Sequence, residues 1–485
     1  MDLKSNVEFW MWMQSDDTPY PGKYAIGGDV SFVYPINDIR ALIAKKDLLI
    51  QGIVKNVNVA INFAYTVFEQ CFEITDCLFK YDFGMYNNCE FNHRVIIERN
   101  IFNKRFDISD AHFNHPNIIP ISISYNNFLS VSKFCDISSK REIIIEKCTF
   151  NDVADFSNCL FDKRVTIKKC IFKKGVVFQG TKFTNGLLFS DNDVDGCINL
   201  KNCVFDGKTQ IFENKGDISK INFSSSVIKG HLELNSLTGN LNLASGSSIK
   251  LHNLYIEPEG YLIFRNINID ANLVGEIDFT GANLLGHVVL KNIYLQKFSL
   301  TNAVIIGDLN TEHLKFKDRS DSQTYVRLKN EALKNHNSIK AMEYRDKEMI
   351  SYRKELRAQA SWRKPYLTNR ILLFFNTLSN KNGLSWSRGI AFTLLVAAVF
   401  FWLINFWGID NHQSQFFILD GDIFNFKRNG EIWKQFLNMF YLTDFKDKFE
   451  GIQLNALGET IFLISKIFVS YGIYQTIAAF RKYSK

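Results

Sequence analysis

Proline is scarce in this chain, with 7 residues among 485, and several motifs of catalysis and metal binding are missing from the sequence. It contains no CxxC pair, no HExxH, no GxSxG and no glycine-rich phosphate loop. The enzyme classes that depend on these motifs are therefore not indicated, and no catalytic residue, metal or cofactor is predicted. A secretory signal is not indicated either, because four acidic residues interrupt the first 20 positions.

Disulfide bonds are not expected, because the chain has nine cysteines, an odd number, all between Cys71 and Cys203. Six of them lie two residues before a phenylalanine, and such pairs face the same side of a strand. We expect these six to be free, buried thiols: Cys77, Cys89, Cys148, Cys159, Cys170 and Cys203. Free thiols favour a reducing compartment. The pair His112 and His115 lacks an evident carboxylate partner and is interpreted as surface polar residues.

Phenylalanine, in contrast, is abundant at 44 residues and recurs with a regular interval of 11. Two further apolar residues follow four and six positions after most of these anchors, and an alternation of this kind is typical of a strand with one buried face. Short strands at a fixed spacing predict a solenoid. The predicted core residues are Phe79, Phe91, Phe102, Phe150, Phe161, Phe172, Phe183 and Phe205, with Cys148, Cys159 and Cys170 beside them.

The register divides the chain into four parts. Residues 1–50 are predicted to cap the solenoid, with a short helix from Asp38 to Lys46, and residues 51–310 form the solenoid itself. The register skips after His112, which predicts a loop inserted around Pro116 and Pro120. Residues 311–388 have helical spacing and form a basic stalk, and Asn337 or Ser338 is expected to cap its second helix. Residues 389–485 form a hairpin of two membrane spans.

Two consecutive units of the solenoid, residues 271–275 (ANLVG) and 282–286 (ANLLG), resemble the A-(D/N)-L-x-x signature of pentapeptide-repeat proteins. The resemblance implies a mainly β fold, a right-handed quadrilateral β-helix, and says little about activity because that family is functionally mixed. The family repeats every 5 residues and this chain every 11. We interpret one unit as two faces plus one extra residue, and two units as one coil of 22.

Charge and hydropathy predict how the chain meets a membrane. Residues 311–388 hold 17 Lys/Arg against 8 Asp/Glu, whereas residues 51–310 hold 26 against 27. Residues 389–409 carry no charge and are long enough to cross a bilayer, and residues 461–480 are a second candidate. The predicted anchors and topology markers are Trp386, Arg388, Trp402, Trp407, Lys466, Arg481 and Lys482. Basic residues on one side predict that both termini and the solenoid are cytoplasmic, at a bacterial inner membrane, with loop 410–457 outside.

Three features near the membrane left alternatives open. Lys466 lies inside the second span and is expected to extend toward the outer surface, with a packing or pore role as the alternative. Residues 371–378 form a short apolar helix that fits the membrane surface, and residues 431–445 are amphipathic and either lie on the outer leaflet or re-enter the bilayer. No potassium-selective T-x-G-Y-G sequence follows them.

The predicted function is a non-catalytic protein-interaction scaffold, tethered to the membrane, with a protein partner on the solenoid faces and anionic lipid beside the basic stalk. The alternative is an oligomeric membrane effector or channel-like protein whose spans permeabilise or conduct. A polysaccharide-cleaving β-helix enzyme is disfavoured because such enzymes act outside the cytoplasm. Nucleic acid is disfavoured as a partner, because the basic stretch ends at a membrane span.

Overall fold

The computed structural model describes residues 42–44, 48–51, 56–57, 61–69, 71–115, 119–235, 243–267, 275–317, 320–358, 366–381, 385–409, 430–441 and 454–480. They belong to two compact units, Met1–Arg327 and Leu328–Lys485. The first unit is a parallel β-solenoid of about 10 turns, and the second is helical.

The solenoid has four sides, which we call faces 1 to 4 in the order in which the chain passes through them. Face 1 consists of Leu42–Ala44, Thr66–Phe68, Glu90–Phe91, His112–Phe113, Ser138–Ser139, Leu160–Phe161, Lys182–Phe183, Val204–Phe205, Val227–Ile228, Tyr255–Ile256, Asn283–Leu284 and Val304–Ile305. Face 2 consists of Leu48–Gln51, Phe72–Thr75, Val95–Glu98, Ile121–Ser124, Ile143–Glu146, Val165–Lys168, Leu187–Ser190, Lys208–Phe212, His231–Asn235, Tyr261–Arg265, His287–Lys291 and Asp308–Asn310.

The other two faces are shorter. Face 3 consists of Asn56–Val57, Leu78–Phe79, Ile101–Phe102, Asn127–Phe128, Thr149–Phe150, Ile171–Phe172 and Asp193–Val194. Face 4 consists of Ile61–Ala64, Phe83–Tyr86, Phe106–Asp107, Ser132–Lys133, Ala154–Asp155, Val176–Val177, Gly196–Asn199, Ile218–Asn222, Leu243–Lys250, Glu276–Asp278 and Lys297–Ser299. Ile293–Leu295 and Leu314–Phe316 form a separate pair of strands.

The predicted coil length of 22 residues is confirmed in the strand register. Phe150 pairs with Phe172 on face 3, and Phe161 pairs with Phe183 on face 1, each an offset of 22. Two units of eleven residues therefore make one turn, and equivalent side chains of consecutive turns lie above one another. Within each face, neighbouring strands pair in parallel, as the solenoid requires.

Stacked aromatic rings fill the interior. Phe79, Phe102, Phe128, Phe150 and Phe172 form a continuous column, with ring centroids 4.8 to 5.2 Å apart and planes within a few degrees of parallel. This separation is close to the spacing of about 4.8 Å between hydrogen-bonded strands. A repeated phenylalanine therefore stacks on its own copy in the next turn, and each ring of the column is at most 1% exposed.

The corners between faces explain which residues separate the strands. Many corner residues that are not glycine have positive φ, for example Asp136 at 58° and Asn158 at 57°. Asn and Asp tolerate this left-handed conformation better than other side chains do. Gly180 occupies the next turn of the same corner with φ of 77°, and a side chain there would collide with Asn158.

The N-terminal end of the solenoid differs from the prediction. Leu42–Ala44 is a strand that pairs with Thr66–Phe68, so the helix predicted from Asp38 to Lys46 is wrong at its described residues. Tertiary pairing with the next turn overrides the local helical pattern. Face 1 and face 2 thus begin before residue 51, while the rest of the predicted cap lies outside the described residues.

Residues 320–327 cover the C-terminal end of the solenoid. The hydroxyl of Ser320 donates to Phe298 O, and Thr324 Oγ1 accepts a hydrogen bond of 2.8 Å from Leu300 N. The Tyr325 ring, 2% exposed, lies on the Phe316 ring with centroids 5.8 Å apart. These residues begin the first helix, so the last turn is closed by polar and aromatic contacts where the pattern of the sequence suggested only a stalk.

Six helices follow. We number them α1 Ser322–Lys334, α2 Ser338–Ala358, α3 Tyr366–Asn380, α4 Trp386–Trp407, α5 Gly430–Asn438 and α6 Ala456–Phe480. Asn337 Oδ1 accepts a hydrogen bond of 3.0 Å from Lys340 N, which confirms the predicted cap of α2. Helix α6 contains the second predicted span, and α4 covers residues 389–407 of the first; both begin a few residues earlier than the sequence indicated.

Candidate functional site: the apolar helices and the outer faces of the solenoid

Helices α4 and α6 are long and apolar enough to cross a membrane by length and composition. Their outer surfaces carry large apolar side chains that are more than half exposed: Leu395, Trp402, Phe406 and Trp407 on α4, and Leu457, Leu463, Ile467 and Tyr474 on α6. An apolar surface of this kind is unusual on a protein surrounded by water and fits a lipid environment. The pair therefore fits a membrane anchor.

Glycines bring the two helices together. A Cβ atom built on Gly389 would lie 2.6 Å from Thr476 Oγ1, and one on Gly472 would collide with Thr393 Oγ1. At the other end, Gly408 and Gly458 face each other. Small residues at the contact let helix backbones approach closely, as in membrane bundles. The hydroxyl of Thr393 is satisfied by a 2.8 Å bond to Gly389 O.

Lys466 of α6 is buried against the end of α5 and the residues that follow it. The residue is 6% exposed, and its Nζ donates to Tyr441 O at 2.6 Å, Asn438 O at 2.8 Å and Met439 O at 3.3 Å. The Phe462 ring lies beneath Nζ at 4.6 Å. The expectation that Lys466 extends to the outer surface is thus wrong, and its alternative, a packing role, is observed because nearby carbonyls satisfy the charge.

Helix α5 packs on the two long helices through apolar side chains. Phe436 contacts Phe401 of α4 with ring centroids 5.6 Å apart, and Met439 and Phe462 belong to the same buried cluster as Ile404. The amphipathic pattern that predicted a helix in this segment is confirmed for Gly430–Asn438. Residues 410–429 and 442–453 lie outside the described residues.

Helix α3 joins the long helices through buried amide groups. Tyr471 Oη donates to Asn376 Oδ1 at 2.8 Å, Gln475 Nε2 donates to the same oxygen at 3.3 Å, and Asn380 donates to the Gln475 side chain. The opposite side of α3 is apolar and at least half exposed: Ile371, Leu372, Phe374 and Leu378. Arg353 and Arg370 bond main-chain carbonyls between α2 and α3.

The remaining predicted membrane residues that the structure describes lie toward the ends of α4. Trp386 is 43% exposed and stacks on Phe480 at 5.0 Å, so the start of α4 meets the end of α6. Arg388 is exposed in the first turn of α4. Trp402 and Trp407 lie on the exposed surface of its last turns. Arg481 and Lys482 lie outside the described residues.

The predicted solenoid residues are all in the interior. Phe79, Phe91, Phe102, Phe150, Phe161, Phe172, Phe183, Phe205, Cys148, Cys159 and Cys170 are at most 2% exposed, and all nine cysteines are free. Burial raises the pKa of Cys89 and of Cys203 to about 12 and raises the pKa values of Cys159 and Cys170 well above the usual value. These thiols are protonated at neutral pH and are poor nucleophiles.

The interior column that contains these cysteines also holds polar residues that the sequence reading missed. Asn100 and Asn126 occupy the place of Cys148 in earlier turns, two residues before the stacked phenylalanine. Asn126 Oδ1 accepts from Asn100 N at 2.9 Å, and Asn126 Nδ2 donates to Ile97 O at 2.7 Å. The signal was available, because the same spacing before the anchor recurs in every turn.

Arg141 is a second residue that the sequence reading missed. It is 1% exposed, and its guanidinium donates to His93 O and to Ile119 O, both at 2.5 Å. Ile119 follows the predicted insertion, of which residues 116–118 lie outside the described residues. Burial lowers the pKa of Arg141, and carbonyl groups hold its charge. No local pattern marks this residue, since lysine or asparagine stands at its place in the following turns.

The outer faces carry paired charges and one row of rings. Cations and anions of neighbouring turns pair across face 1 and face 2, as in Lys182 with Asp206 at 3.2 Å and Arg265 with Glu233 at 3.7 Å. On face 2, His231, Tyr261 and His287 stack in a row with ring centroids 4.7 and 4.6 Å apart. Within the described residues no three side chains are arranged to hold a metal ion.

His252 and Asp278 form a close pair of titratable side chains at one corner of the solenoid. His252 Nε2 lies 2.6 Å from Asp278 Oδ2, and Thr280 Oγ1 donates to Asp278 Oδ1 at 2.5 Å. In a hydrolytic triad the imidazole lies between the hydroxyl and the carboxylate, whereas here the carboxylate lies between the other two groups. The three side chains thus link neighbouring turns at a corner of the solenoid.

A four-sided parallel β-solenoid followed by two apolar helices defines a solenoid protein with a candidate membrane anchor. A family model matches part of the solenoid: residues 145–191 match the model described as pentapeptide repeats (9 copies). These residues are therefore similar to pentapeptide repeats, and they belong to a parallel β-solenoid that two apolar helices follow along the chain. Neither the curated proteins nor the solved structures include a significant match to it.

Proposed function

We propose that this protein is a non-catalytic interaction scaffold that α4 and α6 tether to a membrane. The observation that supports the tether best is the contiguous apolar surface of these helices, on which Leu395, Ile467 and Tyr474 are each more than 60% exposed. Lipid is the environment in which such a surface is stable. The solenoid, with its fully stacked interior, leaves only outward side chains for a partner.

The basic stretch and α3 support a contact with anionic lipid. The exposed apolar side of α3, which includes Ile371 and Phe374, is the kind of surface that lies in the interface between headgroups and acyl chains. Arg370 is the fifth residue of α3 and Lys381 directly follows its last residue, and residues 311–388 carry an excess of nine positive charges. Following the positive-inside tendency, we place both termini and the solenoid in the cytoplasm at a bacterial inner membrane, with loop 410–457 outside.

The row formed by His231, Tyr261 and His287 is the part of the solenoid that we assign to a protein partner. Aromatic residues are enriched at the centres of protein interfaces, and the flat sheet beneath holds the three rings in fixed positions. The balanced charge of the solenoid argues against nucleic acid. A second copy of the chain is one of the partners that this surface admits.

The tether is tested by reconstituting the full chain with vesicles of neutral lipid, with or without anionic lipid, and extracting them at alkaline pH. We expect the wild type to float with the vesicles, and to bind more of them when anionic lipid is present and salt is low. Replacing Leu395 and Ile467 by Asp should release the protein. A chain that stays soluble without detergent and leaves the vesicles in alkali contradicts the proposal.

The interaction face is tested with a photo-reactive residue at Tyr261 and a control at Asp155 on face 4. We expect cross-links to a defined protein from the first position and none from the second. Equal yields at both positions would remove the assignment of this row.

A membrane effector is the second candidate, and the packing of α5 against the two long helices favours it, because a short helix packed against spans is a feature of many pores. Leakage of dye from vesicles that depends on residues 386–480 would support the effector. Intact vesicles containing demonstrably inserted protein would leave the scaffold.

A further inference from the structure

Lys466 contacts the segment after α5 near the middle of α6. Lys466 is ten residues beyond Ala456, the start of α6, and fourteen residues before Phe480, its end. At 1.5 Å per residue these separations are about 15 Å and about 21 Å along the helix axis. The hydrocarbon core of a bilayer is about 30 Å thick. If α6 spans it, the ammonium group lies close to the middle.

Helix α5 and the residues after it are held at the same depth. Phe436 contacts Phe401, which lies six residues before the end of α4, and Asn438, Met439 and Tyr441 direct their carbonyls at Lys466. The contacts of the segment thus extend inward from the loop end of the long helices. A segment lying flat on the outer surface would be too far away to make them.

The contact between Lys466 and the segment after α5 satisfies two groups that are unfavourable in the hydrocarbon core, the helix-end carbonyls and the lysine charge. The last carbonyl groups of a helix have no partners within the helix, and in lipid each unsatisfied group costs several kcal/mol. A charged lysine in the same place is equally unfavourable without partners. Here the ammonium donates to three carbonyls, and the negative end of the α5 dipole faces the positive charge.

Building on the proposed membrane tether, we propose that residues 430–441 form a re-entrant segment. It enters the bilayer from the loop side and ends near mid-depth in a cation site of main-chain carbonyls, which the ammonium group of Lys466 occupies. The outward side chains Leu437 and Tyr441, 54% and 64% exposed, contact lipid in this arrangement. The protein thereby carries its own cation at a position where a pore would hold a free one.

Accessibility to a membrane-impermeant maleimide tests the position of the segment in proteoliposomes of the full chain. Cysteine is introduced singly at Leu437, Tyr441, Leu457 and Leu463, and labelling is read for each peptide by mass spectrometry, so that the native cysteines do not interfere. We expect Leu437→Cys and Tyr441→Cys to be protected from the maleimide to the same extent as Leu463→Cys inside the span. Leu457→Cys, at the end of the span, should react with it.

The outcomes separate the two proposals. Fast labelling at 437 and 441 with protection at 463 would overturn the re-entrant segment and leave the tether intact. Fast labelling at 463 as well would overturn the tether, and the re-entrant segment with it.

Chemical rescue tests the cation site. In the Tyr441→Cys background, Lys466→Ala should raise the labelling rate at least tenfold, because the segment loses the charge that holds it. Propylammonium, which resembles the deleted side chain, should restore protection, whereas the bulkier choline at equal concentration should not. Lys466→Gln serves if the alanine variant fails to insert. Unchanged protection in both variants, or equal rescue by both salts, would overturn the site.

Discussion

Individual interior positions of the solenoid accept residues of different chemistry because every turn offers them the same partners. At the column two residues before the stacked rings, a side chain meets a main-chain N–H and a main-chain carbonyl, both of the preceding turn. Asn192 uses both, accepting from Cys170 N at 2.9 Å and donating to Ile167 O at 3.1 Å, whereas Cys170 only donates weakly. Size and the ability to bond the backbone, and not hydrophobicity alone, decide what fits.

Phe172 should be a sensitive position of the aromatic column. It is fully buried and stacks on Phe150 with centroids 4.9 Å apart, so Phe172→Ala leaves a cavity and should cost about 3–5 kcal/mol of local stability. Hydrogen exchange of the strands around residues 150, 172 and 194 measures the loss. The neighbouring variant Ile171→Ala, at a side chain 42% exposed, is the matched control and should change exchange little. Similar effects of the two variants would contradict the inward assignment.

Buried thiols should make the solenoid sensitive to alkali. The pKa of Cys89 and of Cys203 is about 12 in the folded chain and about 9 for an exposed thiol, so the folded state retains the proton longer. Their contribution to stability is complete below pH 9 and is lost as the pH rises toward 12. Denaturant midpoints of the wild type and of the Cys89→Ala and Cys203→Ala variants, measured from pH 8 to 11, should diverge less as the pH rises. A constant difference would contradict the prediction.

At the scale of elements, the close contact between α4 and α6 depends on glycines, which have no side chain to hold the helices apart. Gly472→Ala places a Cβ against Thr393 Oγ1 and should destabilise the helix pair by about 1–3 kcal/mol, read as the melting temperature in detergent. Thr393→Ala removes that oxygen and should recover part of the loss in the double variant. Gly430→Ala, which meets nothing within 4 Å, is the control. Loss of stability at 430 and none at 472 would refute this packing.

How much of each element the sequence predicts depends on the range of its contacts. The eleven-residue register and the helical spacing are local patterns, and they located the faces, the helices and the inward phenylalanines. The strand at Leu42–Ala44 was missed because its partner is 24 residues away, at Thr66–Phe68. The packing role of Lys466 was only the alternative expectation, because its carbonyl partners are 25 to 28 residues away and carry no side-chain signature. The roles of main-chain atoms cannot be read from residue types.

At the scale of the whole molecule, the coil is the unit in which the solenoid can change length. Deleting residues 151–172 removes one full turn and joins Phe150 to Lys173, which keeps every later residue on its own face. Deleting residues 151–161 removes half a turn, so that each strand after the deletion stacks on the opposite face of the turns before it. We expect the first variant to fold with a melting temperature near that of the wild type, and the second to lose several degrees or aggregate. Equal tolerance would mean that the two half-turns are interchangeable.

The stacked turns also determine how this protein would respond to mechanical load. Each turn contacts only its two neighbours, so force applied along the chain meets the same small set of bonds repeatedly and never the whole core at once. Stretching should therefore peel the solenoid one turn after another, and each released turn of 22 residues adds about 75 Å of extended chain. Residues 320–327 cover the C-terminal turn, so peeling from that end first requires their removal. A solenoid with this construction lengthens in steps and limits the tension that it transmits along the chain.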